Sequence, residues 1–251
     1  MCGIVGYIGA QEACPVLLDG LTRLEYRGYD SAGVAIYSDG ALKVAKAKGR
    51  LQVLSDLLEA GAAIHGTVGI GHTRWATHGA PSDINSHPQV SRSGKIAVVH
   101  NGIIENYSAL KQFLESQGVP FTSETDTEVV AQLIEYFYDG DLLQAVGRVL
   151  HRIEGAYALG ILCSDTPDLL IAVRRDSPLI LGLGKGENFL ASDVTAIIKH
   201  TRDVIYMDDG ELAVLTRGGV QCYNHFLQPV DKEISQSTWE CSFSSGCPRE
   251  S

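Results

Sequence analysis

An α+β layered fold is predicted by three observations. Short apolar, β-rich runs recur between glycine-containing breaks, many of them about 10–12 residues apart or closer. Several segments with helical spacing interrupt these runs. The two kinds of element do not alternate regularly, which argues against a parallel sheet built from βαβ units. No internal repeat is present and no proline-rich linker splits the middle of the chain, so one compact domain is expected.

In chain order, the first strand is expected at 3–8, an apolar run bounded by glycines. Leu17, Leu18, Leu21 and Leu24 then fall on one face of a helix. Strands are predicted at 33–37 and 42–47, and Leu51, Leu54, Leu57 and Leu58 follow helical spacing after them. The apolar runs at 68–72 and 96–100 read as strands. Three helices should follow. Their apolar faces are Tyr107, Leu110, Phe113 and Leu114, then Val129, Val130, Leu133, Ile134 and Phe137, then Leu142, Leu143, Val146, Val149 and Leu150. The remaining strands are predicted at 157–163, 169–173, 179–183, 189–191, 204–206, 211–215 and 220–223. Gly182-x-Gly184-x-Gly186 lacks both the Lys-Ser/Thr of a P-loop and the GxGxxG spacing, and reads as a turn between strands. From Trp239 to Ser251 the chain is rich in Ser, Cys and Gly without periodicity. The folded domain is therefore expected over 1–238, with an irregular tail at 239–251.

Composition narrows the function. Hydrophobic residues are 45% and charged residues 20% of the 251 residues, as in an ordinary soluble globular protein. The net charge is −10 and no run of Lys and Arg occurs, so no nucleic-acid partner is expected. No apolar run approaches the roughly 18 residues of a membrane helix, and no membrane partner is expected. Glu12 interrupts the apolar start and no basic stretch precedes it, so the sequence shows no targeting segment and a cytoplasmic location is expected. The six cysteines (Cys2, Cys14, Cys163, Cys222, Cys241 and Cys247) are scattered without a CxxC pair, which makes a disulfide framework unexpected. Cys241 and Cys247 have five residues between them and no His after them, a poor metal-ligand spacing.

Four segments carry candidate chemistry. Cys2 directly follows Met1. With Met1 removed, the thiol and a free α-amine belong to one residue, and an amine titrating at about 7.7–8.0 can take the thiol proton at neutral pH. The alternative is a small buried residue opening the first strand. In Gly71-His72-Thr73-Arg74-Trp75-Ala76-Thr77-His78-Gly79 a strand enters a polar loop. Arg74 offers a planar fork of donors suited to a carboxylate, and Trp75 could close a pocket beside it. A metal site on His72, His78 and His87 would lack both carboxylates and a helical HxxxH. His100-Asn101-Gly102 follows an apolar strand and fits two readings. Asn-Gly is a hairpin signal, while an Asn amide and the next backbone N–H make a pair of oxyanion donors. In Ser123-Glu124-Thr125-Asp126-Thr127-Glu128, Thr125 and Glu128 fit a capping box, Asp126 alone could be an N-cap, and its carboxylate could also hold an ammonium group. A fifth segment, Arg23-Leu24-Glu25-Tyr26-Arg27-Gly28-Tyr29-Asp30-Ser31-Ala32-Gly33, reads as a helix end. Arg27 would sit near the last carbonyls and Gly28 at a left-handed cap.

From Cys2 to roughly Trp239 the chain resembles the glutaminase domain of the glutamine–fructose-6-phosphate aminotransferase (glucosamine-6-phosphate synthase) family. The resemblance rests on Cys2-Gly3-Ile4-Val5-Gly6, residues 23–33, His72 to Gly79, His100-Asn101-Gly102-Ile103-Ile104-Glu105-Asn106 and Ser123 to Glu128. Phosphoribosyl-amine-forming relatives carry Arg-Gly-Gln-Asp where this chain has Arg27-Gly28-Tyr29-Asp30. The resemblance implies an N-terminal-nucleophile hydrolase fold, a four-layer αββα sandwich of two mainly antiparallel sheets. It implies that Cys2 attacks the side-chain amide of L-glutamine, with its own amine as base. Asn101 and the Gly102 N–H would stabilise the oxyanion. Arg74, Thr77 and His78 would hold the α-carboxylate, and Asp126 with the Gly102 carbonyl the α-ammonium. Trp75 would lie on a loop that closes over glutamine. No cofactor and no metal are implied. The sugar isomerase domain expected in such enzymes lies outside this sequence. A phosphoribosyl-amine-forming amidotransferase and a catalytically silent glutamine-binding module are the alternative readings.

Overall fold

Alternation along the strands sorts the apolar residues into three layers. In the computed structural model, which describes residues 2–75 and 79–237 apart from the Arg27 side chain, two antiparallel sheets lie face to face. The first contains β1 (Gly3–Ile8), β2 (Ser31–Ser38), β3 (Ala41–Lys48), β4 (Val68–Arg74), β9 (Ile180–Leu183), β10 (Asn188–Ala191), β11 (Asp203–Tyr206) and β15 (Ser235–Gln236), in the order β15-β11-β9-β10-β1-β4-β2-β3. The second contains β5 (Gln89–Val90), β6 (Ile96–Ile104), β7 (Gly155–Cys163), β8 (Leu170–Arg175), β12 (Glu211–Thr216), β13 (Gly219–Tyr223) and β14 (Pro229–Val230), in the order β14-β13-β12-β8-β7-β6-β5. Helices α1 (Ala13–Leu24) and α2 (Leu51–Leu57) cover the first sheet, and α3 (Tyr107–Ser116), α4 (Asp126–Phe137) and α5 (Leu142–Leu150) cover the second.

Odd and even positions of one strand serve different layers. Val5 and Tyr7 of β1 pack under α1, while Ile4 and Ile8 face the opposite sheet. Val98 of β6 packs under the α4 layer, while Ala97 and Val99 face the first sheet. The result is the four-layer αββα sandwich of the N-terminal-nucleophile hydrolases.

The approach of α1 depends on missing side chains. A Cβ added at Gly69, Gly71 or Gly3 would lie 2.8, 2.9 and 2.8 Å from the Leu17, Leu21 and Leu24 side chains respectively. Those leucines are fully buried. Each contributes roughly 1.5–3 kcal/mol of burial free energy.

Every expected helix is present, and every expected strand has a counterpart. The glycine-rich 184–186 segment is the turn of a β9–β10 hairpin, closed by the Gly184 N–H donating to the Glu187 carbonyl at 2.9 Å. Three two-residue strands, β5, β14 and β15, were not expected, because two residues carry no period. Two local readings are corrected. Asn101-Gly102 is not a hairpin turn: β6 runs through it, with Asn101 opposite Ala158 and Gly102 opposite Tyr157. Gly28 is not a left-handed cap, since its φ is −164° and it follows a 3₁₀ turn at Glu25–Arg27. Glycine is required there because a Cβ would lie 2.8 Å from the Arg74 carbonyl carbon. The tail at 239–251 lies outside the described residues.

Gly71→Ala should cost about 1–3 kcal/mol by overpacking. Gly219→Ala, where nothing lies within 4 Å of the added Cβ, should stay within about 0.5 kcal/mol of the parent. Urea unfolding midpoints of the two variants check this contrast.

Candidate active site

The β1–β4 ladder places the first residue of the site. Gly3 lies opposite Thr73, so Cys2 sits beside the end of β4 and the residues that leave it. The Trp75 N–H donates to Cys2 Sγ at 3.2 Å, and the Trp75 carbonyl lies 3.4 Å from the same sulfur. From the facing sheet, the Asn101 amide Nδ2 donates to the Cys2 carbonyl at 3.0 Å. Gly102 follows with φ +124°, and a Cβ there would run into the Ala156 carbonyl. Only glycine fits this position, and its backbone lines the cavity beside Cys2.

Arg74 and Asp126 supply opposite charges. Arg74, the last residue of β4, is 3% exposed, and its Nη2 donates to the Gly79 carbonyl at 3.0 Å. Asp126 opens α4. Thr125 is the N-cap, accepting the Glu128 N–H at 3.3 Å, so the N-cap reading of Asp126 gives way to that of Thr125. Glu128 reaches back past the cap to the N–H groups of Thr122 and Ser123, at 2.9 and 2.6 Å. Half of the capping box is made: Thr125 caps Glu128, while the Glu128 carboxylate holds the segment before the cap and the Thr125 N–H goes to Ser123 Oγ. Asp126 stands on the first turn. Asp126 Oδ2 accepts the Ile104 N–H at 2.8 Å, which ties α4 to the end of β6.

Cys2, Arg74, Trp75, Asn101, Gly102 and Asp126 share the lining of one cavity of about 350 Å³. Trp75 is half-exposed and meets the Tyr29 ring edge-on, with centroids 5.2 Å apart. Thr77 and His78 lie outside the described residues. A thiol beside an amide donor suits attack on a carbonyl whose oxygen turns negative. A buried guanidinium and a buried carboxylate on the same cavity suit a zwitterionic ligand.

Burial pushes the Cys2 thiol up, opposed by the Trp75 N–H and by Arg74. Burial also drives two histidines down: His72, which bonds Asn101, to about 3, and His87, which lines the cavity, well below its ordinary value. The His72 and His87 rings lie against each other at a tilt of 39°, with centroids 4.4 Å apart. Among the described residues no group of three His, Cys, Asp or Glu side chains is placed to hold a metal ion.

Two supporting pieces escaped sequence reading. Asn85 is buried, and its Nδ2 donates to the Ala80 carbonyl and to Glu124 Oε2 at 2.9 and 3.1 Å, while its Oδ1 accepts the Glu124 N–H at 3.0 Å. It thereby joins the loop after Arg74 to the segment before Asp126. Asn85 sits in an aperiodic polar run, which gives no signal. The segment at 28–30 braces the end of β4, with Gly28 against Arg74 and the Asp30 N–H donating to the Arg74 carbonyl at 3.2 Å.

Residues 58–234 match the model of a glutamine amidotransferase domain. The chain is 58% identical over 240 residues to the glutamine–fructose-6-phosphate aminotransferase (isomerizing) of Caldanaerobacter subterraneus subsp. tengcongensis, covering 96% of this chain and 39% of that protein. It is 54% identical over 242 residues to the protein of the same name from Clostridium acetobutylicum, covering 96% and 40%. It therefore spans about two fifths of the length of these curated relatives. Among solved structures, the glutamine phosphoribosylpyrophosphate amidotransferase from B. subtilis, complexed with ADP and GMP, superposes with a TM-score of 0.77. That likeness has 28% identity and covers 91% of this chain and 50% of the other.

The buried neutral histidines predict acid lability. Below the unfolded value of about 6.5 the unfolded chain gains protons that folded His72 and His87 do not bind, so stability falls with pH. For each histidine the loss between pH 7 and pH 5 should be about 2 kcal/mol. Urea titrations at both pH values should show a smaller drop for His87→Gln than for the parent; equal drops would refute the neutral His87.

Proposed function

The chain belongs to the glutamine amidotransferase domain family, and on that premise we propose that it hydrolyses L-glutamine to glutamate and ammonia through a thioester on Cys2. The observation that carries the reading is one cavity bearing a thiol, an amide donor, a buried cation and a buried anion. Arg74 takes the α-carboxylate of glutamine and Asp126 its α-ammonium, which directs the side-chain amide toward Cys2. Thr77 and His78 are proposed to assist at the carboxylate, and Trp75 to cover the ligand.

The raised thiol needs a base at neutral pH. His72 and His87 are held too acidic to serve. With Met1 removed, the α-amine of Cys2 takes the thiol proton as the sulfur attacks the amide carbon. Asn101 and the Gly102 N–H hold the oxygen that becomes negative. The amine then passes its proton to the leaving nitrogen, the C–N bond breaks and ammonia departs. Water adds to the thioester, the C–S bond breaks, and glutamate leaves with the thiol restored. Each step is neutral in overall charge, so no co-reactant besides water is consumed.

The glutaminase unit is read as residues 1–238. In a longer protein like the relatives named above, the ammonia would pass to a sugar isomerase domain that forms glucosamine 6-phosphate. Tyr29 and Trp75, and the higher identity to those relatives than to the phosphoribosylpyrophosphate amidotransferase, favour this branch. Among the described residues no helix is long and apolar enough to cross a membrane.

Cys2→Ala should abolish glutamate release while leaving the unfolding midpoint within about 1 kcal/mol of the parent. Turnover comparable to the parent would refute the nucleophile. Arg74→Lys keeps the charge but loses the two-point grip, so KM for glutamine should rise roughly tenfold or more with a smaller change in kcat. Steady-state kinetics decide, and an unchanged KM would remove Arg74 from the carboxylate.

A further inference from the structure

Alternation along β4 and β6 brings two polar residues together beneath the thiol. Ile70 of β4 and Ala97 and Val99 of β6 lie in the layer between the sheets. Continuing each strand by two residues puts His72 and Asn101 in that same layer. His72 is fully buried there. Its Nε2 lies 3.0 Å from the His100 carbonyl oxygen and 3.0 Å from Asn101 Oδ1.

We propose that His72 is a positioning residue, fixing the Asn101 amide so that its nitrogen faces Cys2; the inference rests on the oxyanion role given to Asn101 above. A backbone carbonyl can only accept a hydrogen bond, so the Nε2 facing His100 must carry the proton. An Nε2–H beside Asn101 in turn requires the amide oxygen on that side. The other end agrees, because Nδ2 then donates to the Cys2 carbonyl at 3.0 Å. Turning the amide over would set donor against donor at His72 and oxygen against oxygen at Cys2. It would also point a partial negative charge at the place where negative charge develops. Among the described residues the remaining ring nitrogen, Nδ1, has no hydrogen-bond partner, and the ring lies tilted against His87, so the second nitrogen makes no competing demand. Burial keeps the ring neutral across the physiological range, so this lock does not open with pH.

The test is glutaminase kinetics on the purified full chain as parent, His72→Leu, His72→Gln, Asn101→Ala and the His72→Leu/Asn101→Ala double variant. Losing one oxyanion donor costs about 10²–10³ in kcat. His72→Leu should lower kcat roughly 10- to 100-fold with KM within about threefold, because only the oxyanion loses a partner. His72→Gln, whose amide nitrogen reaches the Nε2 position, should recover about tenfold of that loss. The double variant should be no slower than Asn101→Ala alone, since His72 acts through that amide. Multiplicative losses, or a fall that appears mainly in KM, would overturn the proposal. A parent without turnover, or an Asn101→Ala variant at full kcat, would instead remove the oxyanion reading. Nitrogen NMR of the parent tests the lock independently of how the variants fold. The expected result is a neutral His72 protonated on Nε2 from pH 8 to about pH 5. A ring protonated on Nδ1 would overturn it.

Discussion

Gly3 paired with Thr73 across the β1–β4 ladder is the constraint from which the site follows. A slip of one residue would turn every β1 side chain to the opposite face. Ile4 and Ile8 would then press against α1, and Val5 and Tyr7 would enter the layer between the sheets. The register is held from both sides by those apolar sets. Because the ladder ends there, Cys2 meets the Trp75 N–H as the chain leaves β4. The position of Cys2 is therefore a consequence of core packing more than of any contact it makes itself.

The site gathers groups whose charges would repel or desolvate one another elsewhere. A buried guanidinium is costly unless polar groups answer it, and Arg74 has the Gly79 carbonyl against it and neutral imidazoles nearby. Keeping His72 and His87 uncharged avoids two further cations near Arg74. The same burial raises the Cys2 thiol, which favours its protonated form.

Much of this was legible in the residues. Apolar, β-rich runs between glycine breaks marked the strands, leucine spacing marked α1, and the capping-box pattern of Thr125 and Glu128 marked the start of α4. Cys2, Arg74, Asn101, Gly102 and Asp126 could be named as candidates because each side chain or backbone brings a distinct chemistry. Their convergence could not be read, since it depends on how two sheets stack and not on any local pattern. Asn101-Gly102 misled for a physical reason. A positive φ at glycine serves a tight turn, but here it lets a continuous strand pass close to the Ala156 carbonyl. Gly28 misled likewise, being needed for close approach to Arg74 and not for a left-handed cap. Asn85 and the orienting bonds of His72 left no trace in the sequence, because polar residues in loops and strands have many uses.

The central claim, that Cys2 is the nucleophile and carries its own base, is tested most directly by trapping the intermediate. The chain is mixed with glutamine, quenched in acid during turnover, and its N-terminal peptide is weighed. The account predicts a peptide that starts at Cys2, with Met1 gone, and that bears one γ-glutamyl group as a thioester labile to hydroxylamine. Glutamate release with no adduct on that peptide, or with Met1 still in place, would contradict it.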